Sequence, residues 1–139
     1  ATSYCKTSGA TGLHIYVPLH AAYTYEEIRA FAEIILKKAE ELLPNTTTER
    51  ALDKRKGRIY LDYLQNKKGQ TLASVYSVRP KPGATVSTPL KWDEVRPGLK
   101  PADFTILNIP ARLEKTGDLF SAVLKEKINL KKCLKNLEK

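Results

Sequence analysis

The sequence has no methionine, one tryptophan and two cysteines, and none of its apolar runs is long enough to cross a bilayer. Cys5 and Cys133 stand near opposite ends of the chain without metal-type spacing, so we expect two reduced thiols, as in a cytosolic protein. The first residues are polar and show no apolar segment of a signal peptide. These absences argue against disulfide-rich, zinc-binding and membrane-spanning proteins, and they favour a cytoplasmic one with no membrane partner.

The 139 residues fit one domain or a large piece of one, and no internal repeat or low-complexity block divides them. The chain opens with Ala1, Thr2 and Ser3 rather than with methionine. We therefore expect either a piece of a longer protein or a designed polypeptide.

Acidic residues are in short supply relative to basic ones. The chain has 24 Lys and Arg against 15 Asp and Glu, a formal net charge of +9 at pH 7. Such a balance favours polyanionic partners, namely nucleic acid, nucleotides or an acidic membrane surface. The alternative on charge alone is that it serves solubility.

Periodicity and capping signals predict an α+β domain. Residues 13–19 and 59–64 are rich in β-formers and predict strands. Thr24 with Glu27 three residues later forms a capping-box pattern at the start of a helix that ends at Pro44. Asn108 and Gly117 bracket a short helix, and residues 119–137 form an amphipathic pattern that predicts a final helix.

The segment before the first predicted strand suits phosphate binding. Gly9 and Gly12 allow the backbone to approach a ligand, and N–H groups in such loops bind phosphate oxygens. Ser8 adds a hydroxyl and His14 a nitrogen donor. The alternatives are an ordinary tight turn for the loop and a buried core position for His14.

Asp62 is anomalous because it stands among Ile, Tyr and Leu residues, where a carboxylate is costly unless it binds a metal, a cation or donors. Beside the basic residues 54–58, it suits a divalent metal that serves a triphosphate, and an ion pair with a Lys or Arg is the alternative. Gln65 and Arg79 end extended segments, where binding residues are common, although each alone is typical of a surface. Arg79 can bind a phosphate through two N–H groups.

Several motifs occur together in a fixed order. They are Ser-Gly-x-x-Gly-Leu-His-x-Tyr-x-Pro-Leu from Ser8, Asp-Tyr-Leu-Gln-Asn from Asp62, Tyr-Ser-Val-Arg ending at Arg79, and Val-Ser-Thr-Pro-Leu-x-Trp-Asp-Glu-Val from Val86. Over residues 7–117 the chain resembles the polymerase domain of bacterial ligase D, in the archaeo-eukaryotic primase superfamily. The resemblance implies that residues 1–139 form a single partial primase-polymerase domain. Residues 118–139 would add a C-terminal amphipathic helix.

The resemblance implies an RRM-like mixed or antiparallel sheet with flanking helices. It implies that Ser8 and His14 bind nucleotide phosphates, that Gln65 and Arg79 assist, and that Asp62 is a catalytic ligand of Mg²⁺ or Mn²⁺. The reaction would be nucleotidyl transfer from nucleoside triphosphates to a primer 3′-hydroxyl in non-homologous end joining. DNA ends, a ligase domain and a Ku-type end-binding protein are the implied partners, in the bacterial cytoplasm near the nucleoid.

The chain departs from the family pattern at two places. Thr11 stands where relatives commonly have Lys or Arg, and no two aspartates form the Asp-x-Asp pair that supplies the family's first two metal ligands. Two-metal chemistry needs several carboxylates, so we expect a truncated domain that is inactive alone. The alternatives are a non-catalytic, basic nucleic-acid-binding module and a structural fragment without activity.

If the strands at 13–19 and 58–64 paired in one sheet, His14 and Asp62 could project from the same face. Ser8, His14, Asp62 and Arg79 would then surround one polar pocket.

Overall fold

A computed structural model describes residues 2–19 and 21–137, which divide into two compact units. The first unit combines residues 1–20 and 73–129, and the second combines residues 21–72 and 130–139. Each unit is built around its own short strands. In chain order the elements are β1 (Tyr4–Thr7), β2 (Leu13–Tyr16), α1 (Tyr25–Leu42), β3 (Thr46–Thr47), β4 (Ile59–Tyr60), β5 (Pro89–Leu90), α2 (Ile109–Thr116) and α3 (Leu130–Leu137).

The first unit contains an antiparallel sheet in the order β2-β1-β5. β1 has a strand on each side, and its residues 5–7 are buried. The apolar face packs on α2 and on the segments beside β5. The core consists of Cys5, Val86, Leu90, Phe104 and Ile109, with Tyr76, Val95, Leu99 and Leu113 packed around it.

The second unit is organised by α1. The Thr24 side chain accepts from the Glu27 N–H, and the Glu27 carboxylate accepts from the Thr24 N–H, so the capping box closes the helix start. Phe31 is the buried residue of this helix. The chain then forms a two-stranded parallel pair, β3 with β4, and Glu40 of α1 accepts hydrogen bonds from Thr48 just beyond it.

The predicted α+β class is confirmed, and so are the two helices with capping signals. α1 begins after Thr24 and ends at Leu42, and α2 ends before Gly117, as the sequence predicts. Gly117 has a φ of 66°, a backbone conformation that favours glycine at a helix end.

The predicted strands are too long. β2 ends at Tyr16, and β4 consists only of Ile59 and Tyr60. After β4, the Asp62 carboxylate accepts from the Leu64 N–H at 2.9 Å, a local turn that removes this backbone from a strand. The expected pairing of these two strands is also wrong, because β2 pairs with β1 whereas β4 pairs with β3.

The predicted final helix is interrupted. Ser121–Leu124 form a 3₁₀ turn, and a regular helix runs only over α3. Between them, the Ile128 N–H donates to the Pro18 carbonyl, and Ile128 forms a β-bridge with Leu19. This tertiary pairing holds the backbone extended where the apolar periodicity alone favours helix. Residues 138 and 139 of the predicted helix lie outside the described residues.

Candidate phosphate site and basic cleft

Residues 8–12, here called the serine turn, connect β1 to β2. The Ser8 N–H donates to the Gly12 carbonyl at 2.8 Å, and Ser8 Oγ accepts from the N–H groups of Ala10 and Gly12 at 3.1 Å each. The turn is therefore closed by its own polar groups. Ser8 Oγ still has its hydrogen to donate, which suits an anionic acceptor such as a phosphate oxygen.

Arg79 lies against the serine turn. One Nη donates to the Ser8 carbonyl at 3.1 Å, and a Cβ added at Gly9 would lie only 2.6 Å from Arg79 Cγ. Gly9 has a φ of 67°, so this position needs glycine for both space and backbone conformation. The structure thus brings two predicted site residues, Ser8 and Arg79, together although they are 71 positions apart.

Buried hydroxyl groups fix the turn to the segment before β5. Thr85 Oγ1 donates to the Gly9 carbonyl at 2.6 Å, and Ser87 Oγ donates to the Thr7 carbonyl at 2.8 Å. Thr7 Oγ1 donates to the Val86 carbonyl and accepts from the N–H of Thr88. Because these groups are buried, each bond is costly to break, and the turn is held in one position.

Lys6 is the residue that the sequence reasoning missed. Its side chain is fully buried, and Nζ donates to the Ala73 carbonyl at 2.8 Å and to Ser87 Oγ at 2.5 Å. Burial, reinforced by the positive charge of Arg79, lowers the pKa of Lys6 to about 8, against a smaller opposite effect of Cys5. A lysine in a strand between buried neighbours was the available signal, but β1 itself was not predicted.

His14 stands in β2 directly opposite Lys6 in the antiparallel register. Side chains of such a pair project from the same face of a sheet, so Lys6 and His14 share one face of β1 and β2. His14 is half-buried. The first unit therefore carries Ser8, His14, Arg79 and the unpredicted Lys6 on or beside the serine turn.

The second unit contains a separate feature, here called the basic cleft. It has a volume of about 520 Å³, and two predicted site residues, Asp62 and Gln65, line it together. Four cationic side chains share the lining, so positive charge outweighs the single carboxylate. The lining consists of Arg29, Arg50, Arg55, Tyr60, Asp62, Leu64, Gln65, Lys67 and Gln70.

Aromatic contacts and backbone carbonyls hold the arginines of the basic cleft. The Arg55 guanidinium lies 4.0 Å from the centre of the Tyr60 ring and donates to the carbonyls of Glu49 and Arg50. Arg29 lies over the Tyr63 ring at 5.8 Å. Such stacking orients a guanidinium without neutralising it, so the positive charge stays available to an anion. Arg29 and Arg50 come from distant segments, and neither was predicted as a site residue.

Asp62 is exposed, and no ion pair within 4.0 Å involves it in the part of the chain that the structure describes. The alternative of a structural ion pair is therefore not seen there. Its one side-chain hydrogen bond is the local one from Leu64. Across residues 2–19 and 21–137, no three His, Cys, Asp or Glu side chains cluster as metal ligands. Asp62 could supply one ligand, whereas octahedral Mg²⁺ takes six oxygens, including those of its waters.

The sequence matches a known protein family over most of its length. The family model described as "LigD, primase-polymerase domain" matches residues 1–120, and the chain belongs to this family. The match extends slightly beyond the predicted residues 7–117. Sequence relatives include the bifunctional non-homologous end joining protein LigD of Bacillus subtilis, 43% identical over 118 residues, and the multifunctional LigD of Pseudomonas aeruginosa, 31% identical over 118 residues.

A solved structure supports the same assignment. The polymerase domain from Mycobacterium tuberculosis ligase D, in complex with DNA, superposes with a TM-score of 0.80 at 26% identity. The match covers 91% of this chain and 44% of that one. The chain spans 19% of the B. subtilis protein and 14% of the P. aeruginosa protein, covering 84% of its own length in each case. None of its described helices is long and apolar enough to span a membrane.

Proposed function

We propose that the chain is part of a DNA-repair primase-polymerase domain that binds nucleoside triphosphates and DNA ends in bacterial non-homologous end joining. The reaction joins a primer 3′-oxygen to the α-phosphorus of a nucleoside triphosphate and releases pyrophosphate, with ribonucleotides favoured. The single observation that carries the proposal is the closed serine turn held against the Arg79 guanidinium. Family membership and the end-joining names of the relatives support it.

In this proposal, phosphate oxygens accept from the Ser8 hydroxyl, the His14 ring and the Arg79 guanidinium. Arg79 uses one Nη on the Ser8 carbonyl and has further N–H groups for a ligand. The hydroxyl network keeps these donors fixed before the ligand arrives, so little reorganisation is needed on binding. Gln65 assists from the basic cleft, and Asp62 is the catalytic carboxylate.

A divalent Mg²⁺ or Mn²⁺ would neutralise the triphosphate in the complete domain. The described residues do not build such a site on their own, because Asp62 is the only carboxylate in the basic cleft. Asp62 would contribute one oxygen ligand, and further carboxylates would have to join it. The convergence of Ser8, His14, Asp62 and Arg79 around one pocket stays a prediction.

The wider assignments are part of the same proposal. Residues 1–139 form part of one primase-polymerase domain, which works beside a ligase domain and a Ku-type end-binding protein. The location is the bacterial cytoplasm, near the nucleoid. The bacterial relatives named for end joining support these statements.

Nucleotide binding by the full 139-residue chain tests the proposal. ATP is titrated in EDTA at low salt and followed by calorimetry, with Arg79→Ala as the site variant. The matched control is Arg96→Ala, which removes the same charge from an exposed position of the same unit. We expect Arg79→Ala to weaken binding by about tenfold or more, the usual effect of removing a charge-assisted hydrogen bond, and Arg96→Ala to change it little. Equal effects of the two variants would contradict the assignment.

The basic cleft favours a second candidate, a non-catalytic module that binds nucleic-acid backbone through Arg29, Arg50, Arg55 and Lys67. The two candidates differ in their response to nucleotide. A phosphate site at the serine turn makes ATP binding sensitive to Arg79→Ala. A purely nucleic-acid-binding module would bind DNA tightly, show no ATP binding, and lose DNA affinity only when the cleft cations are replaced.

A further inference from the structure

Lys6 connects two segments that the candidate phosphate site needs. Its Nζ donates to the carbonyl of Ala73, where the segment leading to Arg79 begins, and to Ser87 Oγ. Ser87 Oγ in turn donates to the Thr7 carbonyl, immediately before the serine turn. One ammonium group therefore joins β1 to both segments that flank the turn.

The position of Lys6 costs free energy. Within the described part of the chain no carboxylate pairs with it, and the nearby charge that acts on it most is another cation, Arg79. A buried charge without a counter-ion is unfavourable, and a neutral side chain of similar length would fill the space at lower cost. Two unneutralised cations beside the Ser8 hydroxyl, which still has its hydrogen to donate, indicate that an anion completes the site.

We propose that Lys6 is a positioning residue for triphosphate binding, which holds the Arg79 segment against β1 and provides positive charge next to the serine turn. This inference rests on the proposed function, because it assumes that the serine turn binds phosphate. Lys6 has no exposed surface, so it acts through Arg79 and Ser8 rather than by touching the ligand.

A merely structural role is the competing explanation. The Tyr16 ring lies 5.9 Å from Nζ, at the outer limit of a cation–π contact, and the two hydrogen bonds alone could justify a buried lysine. The two roles differ in their dependence on pH. A lysine with a purely structural role stabilises the fold whether or not phosphate is present. If its charge serves phosphate binding, the affinity for the ligand depends on whether Lys6 is protonated.

The direction of that coupling follows from electrostatics. A bound polyanion favours the ammonium and raises the pKa of Lys6 from its free value of about 8. Affinity is therefore full below pH 8 and falls as pH rises through this value. The titratable or charged groups around Lys6 are His14 and Tyr16 of β2, Arg79, and the adjacent Cys5 on the other face of β1. Burial raises the pKa of the Cys5 thiol and of the Tyr16 hydroxyl.

The experiment measures ATP affinity of the full chain in EDTA between pH 7 and 9.5, for the native protein, Lys6→Arg and Lys6→Met. We expect the native affinity to fall about tenfold across the range, which corresponds to a rise of about one unit in the Lys6 pKa on binding. Lys6→Arg should show almost no fall, because arginine stays charged. Lys6→Met should bind about tenfold more weakly at pH 7 and also lack the pH step.

A spectroscopic readout covers the case in which a variant fails to fold. The ¹³Cε resonance of Lys6, followed by NMR in the native chain, should titrate near pH 8 without ATP and at higher pH with saturating ATP. An unchanged titration with ATP bound would overturn the role of Lys6 and leave the proposed function standing. Absence of ATP binding to the native chain at pH 7 would overturn both.

Discussion

Replacing Gly9 by alanine tests whether the serine turn is as tightly held as its contacts indicate. An added Cβ would lie 2.6 Å from Arg79 Cγ, 3.0 Å from the Ser87 nitrogen and 3.2 Å from the Val86 carbonyl carbon. The first of these atoms belongs to a side chain that can move. The other two belong to buried backbone, which the hydrogen bond from Thr85 Oγ1 to the Gly9 carbonyl keeps close.

Three contributions set the expected loss of stability. A left-handed backbone costs an alanine roughly 1–2 kcal/mol. Crowding of a packed interior costs about 1–3 kcal/mol. The reduced entropy of the unfolded chain returns about 0.4–1 kcal/mol. We therefore expect Gly9→Ala to lower the free energy of unfolding by about 3 kcal/mol.

Gly98→Ala is the matched control. Gly98 belongs to the same unit and has a φ of 91°, but an added Cβ would meet nothing within 4 Å. Gly98→Ala should lower the free energy of unfolding by only about 1 kcal/mol, since the crowding contribution is absent. Urea unfolding of the full chain measures both variants, and an unchanged slope would confirm that the transition itself is the same.

The double variant Gly9→Ala with Arg79→Ala separates side-chain crowding from backbone crowding. Arg79→Ala removes the Cγ atom at 2.6 Å and leaves the contacts with Val86 and Ser87. The additional cost of Gly9→Ala should therefore shrink without vanishing. If the losses of unfolding free energy caused by Gly9→Ala and by Gly98→Ala differed by less than about 0.5 kcal/mol, crowding at the serine turn would be refuted.

Three further expectations follow. The 139-residue chain alone should not extend a primer with ribonucleotides and Mn²⁺, because it has no Asp-x-Asp pair, and extension abolished by Asp62→Ala would contradict this. DNA binding should weaken with salt, with a slope of log affinity against log salt of about −3.6 on duplex if all four cleft cations contact phosphates. Arg50→Ala should reduce that slope by about 0.9 and Lys131→Ala, on α3, should not, so equal slopes would exclude the cleft. The hydrogen bond from Arg112 holds the pKa of the Glu94 carboxyl below its usual 4.5, although burial acts in the opposite direction. The stabilisation that this carboxylate provides is therefore present above pH 4.5 and lost on acidification. In urea unfolding, the free energy of unfolding should fall less from pH 7 to 3.5 for Glu94→Gln than for the native chain.

The helices were predictable because their signals are local. Thr24 and Glu27 cap the start of α1 through a reciprocal pair of hydrogen bonds, and the Gly117 N–H donates to the Leu113 carbonyl at the end of α2. Local signals did not predict the conformation of residues 119–137, where the expected continuous helix is interrupted. Phe120 packs edge-on against Tyr16 at 4.9 Å, and Ile128 pairs with residues 18 and 19, so contacts with distant strands decide its conformation.

The sheet of the first unit was largely hidden. β1 was not predicted, and residues 85–90, for which no strand was predicted, provide β5 and two of the five core residues, Val86 and Leu90. Thr85, Ser87 and Thr88 are buried here, although a sequence pattern assigns such residues to turns. The hydroxyls of Thr85 and Ser87 donate to the carbonyls of the distant residues Gly9 and Thr7, contacts that local sequence patterns do not predict.

The predicted site residues lie in both units. Ser8, His14, Asp62, Gln65 and Arg79 came from motif resemblance, and the structure places the first, second and fifth in one unit and the other two in the basic cleft of the other. Whether they act as assigned stays a prediction.

The cations of the basic cleft and Lys6 lie in different electrostatic environments, and this difference explains which of them a sequence can reveal. The cations of the basic cleft are exposed apart from the half-buried Arg55, and charges in water interact weakly and are screened by salt. They contribute to the net charge of +9, which the composition shows. The buried ammonium of Lys6 acts at low dielectric, where its hydrogen-bond partners and Arg79 determine its energy. The hydrogen-bond partners of Lys6, Ala73 and Ser87, are 67 and 81 positions away in sequence. The composition therefore does not distinguish Lys6 from a surface lysine. The fold shows that Lys6 is a buried cation, which its local signal, a lysine between buried strand neighbours, could not establish because β1 was not predicted.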